Sequence, residues 1–98
     1  MRDMSSTPMR ERQENLQVHK DRWMTVIYNN DFTPMDVVIT AIILATDCSQ
    51  DEAAMETWEA HHYGKAPIHF ATEAECARAA IVMHSVGVES VVKKEWED

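Results

Sequence analysis

Seventeen carboxylates, five histidines and two cysteines are the side chains in this 98-residue sequence that could do chemistry. Their spacing limits which chemistry. Glu52, Glu56 and Glu59 recur at three- and four-residue intervals, which on a helix gives a solvated stripe rather than two carboxyls set across a reacting bond. His61, His62, His69, Cys76 and His84 include no Cys-x-x-Cys or His-x-x-x-His pair, so they outline no zinc site. No glycine-rich phosphate loop occurs, and no serine lies between glycines. The expectation is a protein with no catalytic residue, no metal and no cofactor. What remains is a run of hydrogen-bonding groups, Asn29-Asn30-Asp31, and His61 about thirty residues on. Taken alone, the run reads as a turn between two elements. His61, taken alone, reads as the end of a helix, where the dipole favours a protonated ring.

The elements that must position these groups are well punctuated. Trp23 to Tyr28 is β-branched and aromatic and reads as a strand. Asn29-Asn30-Asp31 then turns the chain. Thr33-Pro34 opens a first helix, with Thr33 as N-cap and Pro34 in the first helical position. Met35, Val38, Ile39, Ile42 and Ala45 form its apolar face. Val37, Ile43 and Leu44 extend that face so far round that the helix should be largely buried. Capping boxes at Ser49–Glu52 and Thr72–Glu75 start a second and a third helix. The only two glycines, Gly64 and Gly87, fall where those helices should stop. The second helix is expected to place Ala54, Trp58 and His61 inward; the third aligns Cys76, Ala80 and Met83. Met55, Trp58 and Met83 read as core. Pro67–Ala71 and Val88–Lys93 read as two further strands. The order β-α-α-β-α-β implies an α+β fold, a three-stranded antiparallel sheet with three helices on one face.

Residues 1–22 hold little to bury and read as a flexible arm ahead of a core domain at 23–98. The formal charge is −8, from 9 basic and 17 acidic residues. Beyond residue 22 there are four basic and thirteen acidic groups, a composition that repels nucleic acid and anionic membrane. The longest apolar stretch, Val37 to Ala45, is about half of what a bilayer span needs, and its place in the chain is not that of a signal-peptide core. Cys48 and Cys76 are expected as reduced thiols in a cytoplasmic, monomeric protein.

The segment Asn29-Asn30-Asp31-Phe32-Thr33-Pro34-Met35, followed by Ala60-His61-His62-Tyr63-Gly64-Lys65, resembles the ClpS family of bacterial Clp protease adaptors. That family carries Asn-Asp-Asp-Tyr/Phe-Thr-Pro-Met after a strand, and Val-His-x-x-Gly-Lys/Arg at a helix end about thirty residues later. The resemblance covers Trp23 to about Trp96 and implies the fold just derived. It also implies an adaptor that binds the first residue of a client, of the bulky apolar N-degron type (Phe, Tyr, Trp or Leu). The client would then pass to the N-terminal domain of a Clp AAA+ unfoldase of the ClpA or ClpC type, with the arm engaged during transfer.

By resemblance, Asn29, Asn30 and His61 match amine-binding positions, with Asp31 able to supply charge. Thr33, Met35, Val38, Thr57, Ala60 and Val88 match walls of an apolar pocket. An ammonium needs several acceptors converging at the rim of such a pocket, and a protonated imidazole cannot serve as one. Each such bond is worth roughly 1.5–3 kcal/mol, and burial of a Leu or Phe side chain adds about 1.5–3 kcal/mol. Three departures stand out. Asn30 replaces the middle family Asp, which should weaken amine binding. Thr57 and Ala60 are shorter than the usual Met and Val, which should widen the pocket. The unfoldase-docking Glu and Lys of the family fall on Ala74 and Ala79, leaving Glu73, Glu75 and Arg78 as nearby charges. These departures motivate a rival reading, a diverged interaction module or protease modulator that does not read N-termini.

Overall fold

A computed structural model describes residues 22–96. The elements are β1 (Trp23–Tyr28), α1 (Met35–Thr46), α2 (Gln50–Tyr63), β2 (Lys65–Ala71), α3 (Glu73–Ser85) and β3 (Ser90–Lys94). The order is the expected one. The arm assigned to residues 1–22 lies, but for Arg22, outside the described residues. The sheet is antiparallel with strand order β2-β1-β3, so the most apolar strand is central and both neighbours are edges. β2 is two residues longer at its start than its alternation suggests. Its register against β1 slips between Thr25 and Val26, beside Pro67, a residue that an edge strand tolerates because it has no N–H to give the ladder.

The three helices pack on one face of the sheet, around Ile27, Val38, Ala41, Ile42, Ala53, Ala60, Ala66, Ile68, Met83 and Val88. Thr25, fully buried in the central strand, donates its hydroxyl to the Cys76 carbonyl of α3 at 2.8 Å, so the polar group costs little there. At the start of β1, Arg22 Nε meets Glu95 Oε1 at 2.7 Å and the Glu95 N–H donates to the Arg22 carbonyl, closing that end of the sheet. Both N-caps form as expected, each through the hydroxyl half of its capping box. Ser49 Oγ accepts from the Glu52 N–H at 3.1 Å, and Thr72 Oγ1 accepts from the Glu75 N–H at 3.2 Å. Cys48 and Cys76 are both free thiols.

Three sequence expectations fail, each for a physical reason. Thr33 does not cap α1. Pro34 holds the cap position without a side-chain bond, and the Thr33 hydroxyl is used elsewhere. α1 is not buried all round, since only Val38, Ala41 and Ile42 are enclosed and Leu44 is 75% exposed. α2 is turned by about one residue from the expected phase, with Ala53, Thr57 and Ala60 facing inward. The small residues win the inner stripe because they let the helix approach the sheet closely. Trp58 is left 51% exposed, stacked on the His62 ring at 4.7 Å, and Met55 also lies outside the core.

The same rotation half-buries Glu56. Its Oε1 atom is enclosed without a hydrogen-bond partner among the described residues. Burial, with Glu52 and Glu59 one turn away on either side, pushes its pKa up to about 7. A carboxyl that is harder to ionise in the folded state than in the unfolded one favours folding at low pH. That contribution is lost as pH rises through about 7. Glu56→Gln is therefore expected to raise the melting temperature by about 2–4 °C at pH 8 and to leave it nearly unchanged at about pH 4, below the ordinary carboxyl pKa. Thermal melts of both proteins across this range would show it, and an equal effect at both pH values would refute it.

Candidate functional site

β1 runs out at Tyr28 between two turns that each contain a glycine. Gly64 ends α2 at φ +95° and Gly87 follows α3 at φ +85°, conformations that side chains with a Cβ rarely adopt. The Tyr28 N–H donates to the Glu89 carbonyl and the Asn29 N–H to the Gly64 carbonyl, both at 2.9 Å. The turn from Asn29 to Pro34 is thereby fixed to the end of α2 on one side and to the approach to β3 on the other.

Side chains complete the fastening. Asn30 Oδ1 accepts from the Phe32 N–H at 2.6 Å and the Thr33 N–H at 3.2 Å, a turn closed by the residue's own side chain. Asn30 Nδ2 donates to Thr33 Oγ1 at 2.9 Å and to the Gly87 carbonyl at 2.5 Å. The Thr33 hydroxyl donates to the Val86 carbonyl at 2.8 Å.

A cavity of about 30 Å³ opens where these pieces meet. It brings together Asn29, Asn30, Thr33, Met35, Val38, Thr57, Ala60, His61 and Val88 from the sequence-derived set. Ile27 and Tyr28 line it as well, and sequence reasoning missed both. The signal was available, because the residues directly before the polar turn occupy the same strand end. Asp31 is exposed and is not among the lining residues, and no other carboxylate is. The side chains of Asn29 and His61 make no hydrogen bond among the described residues, so the amide oxygen and an imidazole nitrogen remain as acceptors. The Thr57 hydroxyl donates its proton to the Ala53 carbonyl at 2.8 Å.

Although the side chains at Thr57 and Ala60 are short, the cavity they line is small. A cavity of this size holds one or two waters, so an aromatic ring enters only if the rim moves. Met35, 47% exposed, is the rim side chain with room to do so. Glu73, Glu75 and Arg78 lie exposed on the first turns of α3 and take no part in the cavity. Ala79, the position that the family pattern gives to a docking charge, is fully buried.

The described residues thus form an antiparallel β-α-α-β-α-β fold with hydrogen-bond acceptors at the mouth of a small cavity. The family model of the ATP-dependent Clp protease adaptor protein ClpS matches residues 18–90, and the chain belongs to the ClpS family. A curated relative, the ATP-dependent Clp protease adapter protein ClpS of Treponema denticola, is 31% identical over 51 residues, which is 52% of this chain and 50% of the relative. The matched stretch thus spans about half the length of that protein. Among solved structures, Agrobacterium tumefaciens ClpS2 bound to L-phenylalaninamide is similar in fold. It aligns at a TM-score of 0.65 and 18% identity, over 78% of this chain and 99% of that one. No described helix is long and apolar enough to cross a membrane.

The fastening of the turns predicts a stability difference. Thr33→Val removes the bond to Val86 and the acceptor for Asn30. It should cost about 1 kcal/mol, or about 4–8 °C in melting temperature. Thr33→Ser, which keeps the hydroxyl, should lose less than half as much in the same thermal denaturation. No loss in Thr33→Val, which keeps the methyl group, would refute the contribution of these hydrogen bonds.

Proposed function

We propose that this chain is a non-enzymatic adaptor that binds the first residue of a client protein and hands the client to a Clp unfoldase. The observation that carries the reading is the placing of two unpartnered acceptors, on Asn29 and His61, at the mouth of an apolar cavity walled by Met35, Val38, Thr57, Ala60 and Val88. A chain terminus has the complementary form, an ammonium with three N–H donors beside one side chain. The family match supports the adaptor role, and the phenylalanine amide bound by the fold relative ClpS2 is the right class of ligand.

In this reading the ammonium donates to Asn29 Oδ1 and to the neutral His61 ring while the first side chain displaces Met35 and fills the cavity. Bulky apolar residues, Phe, Tyr, Trp or Leu, gain the most from that burial. Two charge-assisted bonds and one buried side chain supply roughly 4.5–9 kcal/mol before the cost of association is subtracted. The unfoldase partner would be of the ClpA or ClpC type, meeting the exposed charges Glu73, Glu75 and Arg78 on α3, and residues 1–22 would serve during transfer.

The test is a fluorescence-anisotropy titration with short peptides beginning Phe, Leu, Trp or Tyr. Met-initiated and N-acetylated peptides serve as controls. Free-amine bulky peptides are expected to bind selectively, with at least ten-fold loss on acetylation and in His61→Ala. If the folded protein binds none of them, the N-terminus reading fails and the diverged interaction module stands.

A further inference from the structure

We propose that Asn30 is a positioning residue, a clasp that locks the Asn29–Pro34 turn onto the Val86–Val88 turn, and that the amine of a bound chain end is read by Asn29 and His61 instead. The second half of this statement rests on the proposed N-terminus reading; the first does not.

Which end of the Asn30 amide faces which partner is fixed by chemistry. The Phe32 and Thr33 N–H groups can only donate, so the side-chain atom facing them is the oxygen. The nitrogen therefore faces the Gly87 carbonyl, which can only accept. The Thr33 hydroxyl spends its proton on the Val86 carbonyl and offers Asn30 a lone pair. Position 30 must consequently accept two hydrogen bonds on one atom and donate two from the other. A primary amide meets all four demands. A carboxylate meets the first two, then sets a second oxygen against the Gly87 carbonyl and the Thr33 lone pair with no proton between them.

Both lone pairs of Oδ1 are taken, so nothing is left at Asn30 for an ammonium. The acceptors that remain at the cavity mouth, on Asn29 and His61, are neutral when the imidazole is unprotonated, and no carboxylate lines the cavity. The clasp acts on the cavity through its walls. Thr33 is one of its partners, and Val88, buried to 2% exposure, directly follows Gly87, the other. Replacing the family Asp by Asn at this place thus exchanges a charged acceptor for a firmer wall.

The clasp and an amine contact are separated by a pair of ligands, L-phenylalaninamide and its des-amino analogue 3-phenylpropanamide, titrated by NMR up to millimolar concentration. Asn29→Ala and His61→Ala are expected to weaken the amine ligand at least ten-fold and to leave the analogue within two-fold. Asn30→Ala and Asn30→Asp are expected to weaken both ligands by the same factor, keeping the wild-type ratio between them. Loss confined to the amine ligand in Asn30→Ala, or tighter amine binding in Asn30→Asp, would overturn the proposal.

Should the Asn30 variants not fold, the wild-type protein still decides. The Asn30 side-chain NH₂ protons should exchange more slowly than those of Asn29 in the free protein. They should also shift less than those of Asn29 on binding L-phenylalaninamide. Equal exchange, or the larger shift at Asn30, would refute the clasp. If neither ligand binds the wild type, the N-terminus reading fails, and with it the assignment of the amine to Asn29 and His61, while slow exchange at Asn30 would still establish the clasp.

Discussion

Everything at the cavity end of this molecule depends on how Tyr28, the last residue of β1, and Asn29 after it are tied to the segments around two glycine turns. The Asn29 N–H reaches the Gly64 carbonyl and the Tyr28 N–H reaches the Glu89 carbonyl, so loop carbonyls hold the strand end in addition to its pairing with β2. Three segments far apart in sequence, around residues 30, 62 and 87, must then meet within hydrogen-bond distance. The helices supply the rest. α2 carries Thr57 and Ala60 past the strand end on its inner side, with the exposed His61 at the cavity mouth, and α3 delivers the Gly87 turn. A small cavity at this junction follows from the geometry, because a strand end, a helix flank and two turns cannot fill the space between them with backbone alone.

Much of the fold is legible in the sequence because its signals are local. Ser49 and Thr72 name helix starts through bonds made within four residues, and Gly64 and Gly87 mark stops through a backbone conformation that other residues resist. The site is legible in a different manner. Its residue types came from the resemblance of two short motifs, and the cavity does gather Asn29, Asn30, Thr33, Met35 and His61 at one point. What escaped was whatever depends on partners distant in sequence. Thr33 looks like a cap until the Val86 carbonyl competes for its hydroxyl. Trp58 looks like core until the smaller Ala53, Thr57 and Ala60 claim the inner face of the same helix. Asp31 looks like a spare charge for the site, yet the turn that Asn30 closes leaves it exposed and outside the cavity.

The family match and the local chemistry bear on different questions. Membership in the ClpS family rests on a model covering residues 18–90, whereas the likeness to ClpS2, at 18% identity, is one of fold. Among this chain's departures from the family pattern, Asn30 is the one whose side-chain amide is hydrogen-bonded at both its oxygen and its nitrogen. A change from Asp to Asn in a sequence comparison suggests a weakened electrostatic contact. In three dimensions it is a change from acceptor-only chemistry to a group that also donates, and donation is what the Gly87 carbonyl requires.

The two edges of the sheet have a consequence of their own. β2 carries Pro67 and a register slip, and β3 is five residues long and ends in Lys93 and Lys94, so neither edge is a clean template for a further strand. Peptide-binding modules with a bare sheet edge hold an extended partner by main-chain pairing along several residues. Here that route is blunted on both sides. Under the function proposed above, recognition would then be confined to whatever can be inserted end-on, and a partner's interior sequence would have little to be read by. A module built in this way would count chain ends and be indifferent to most of the chain behind them.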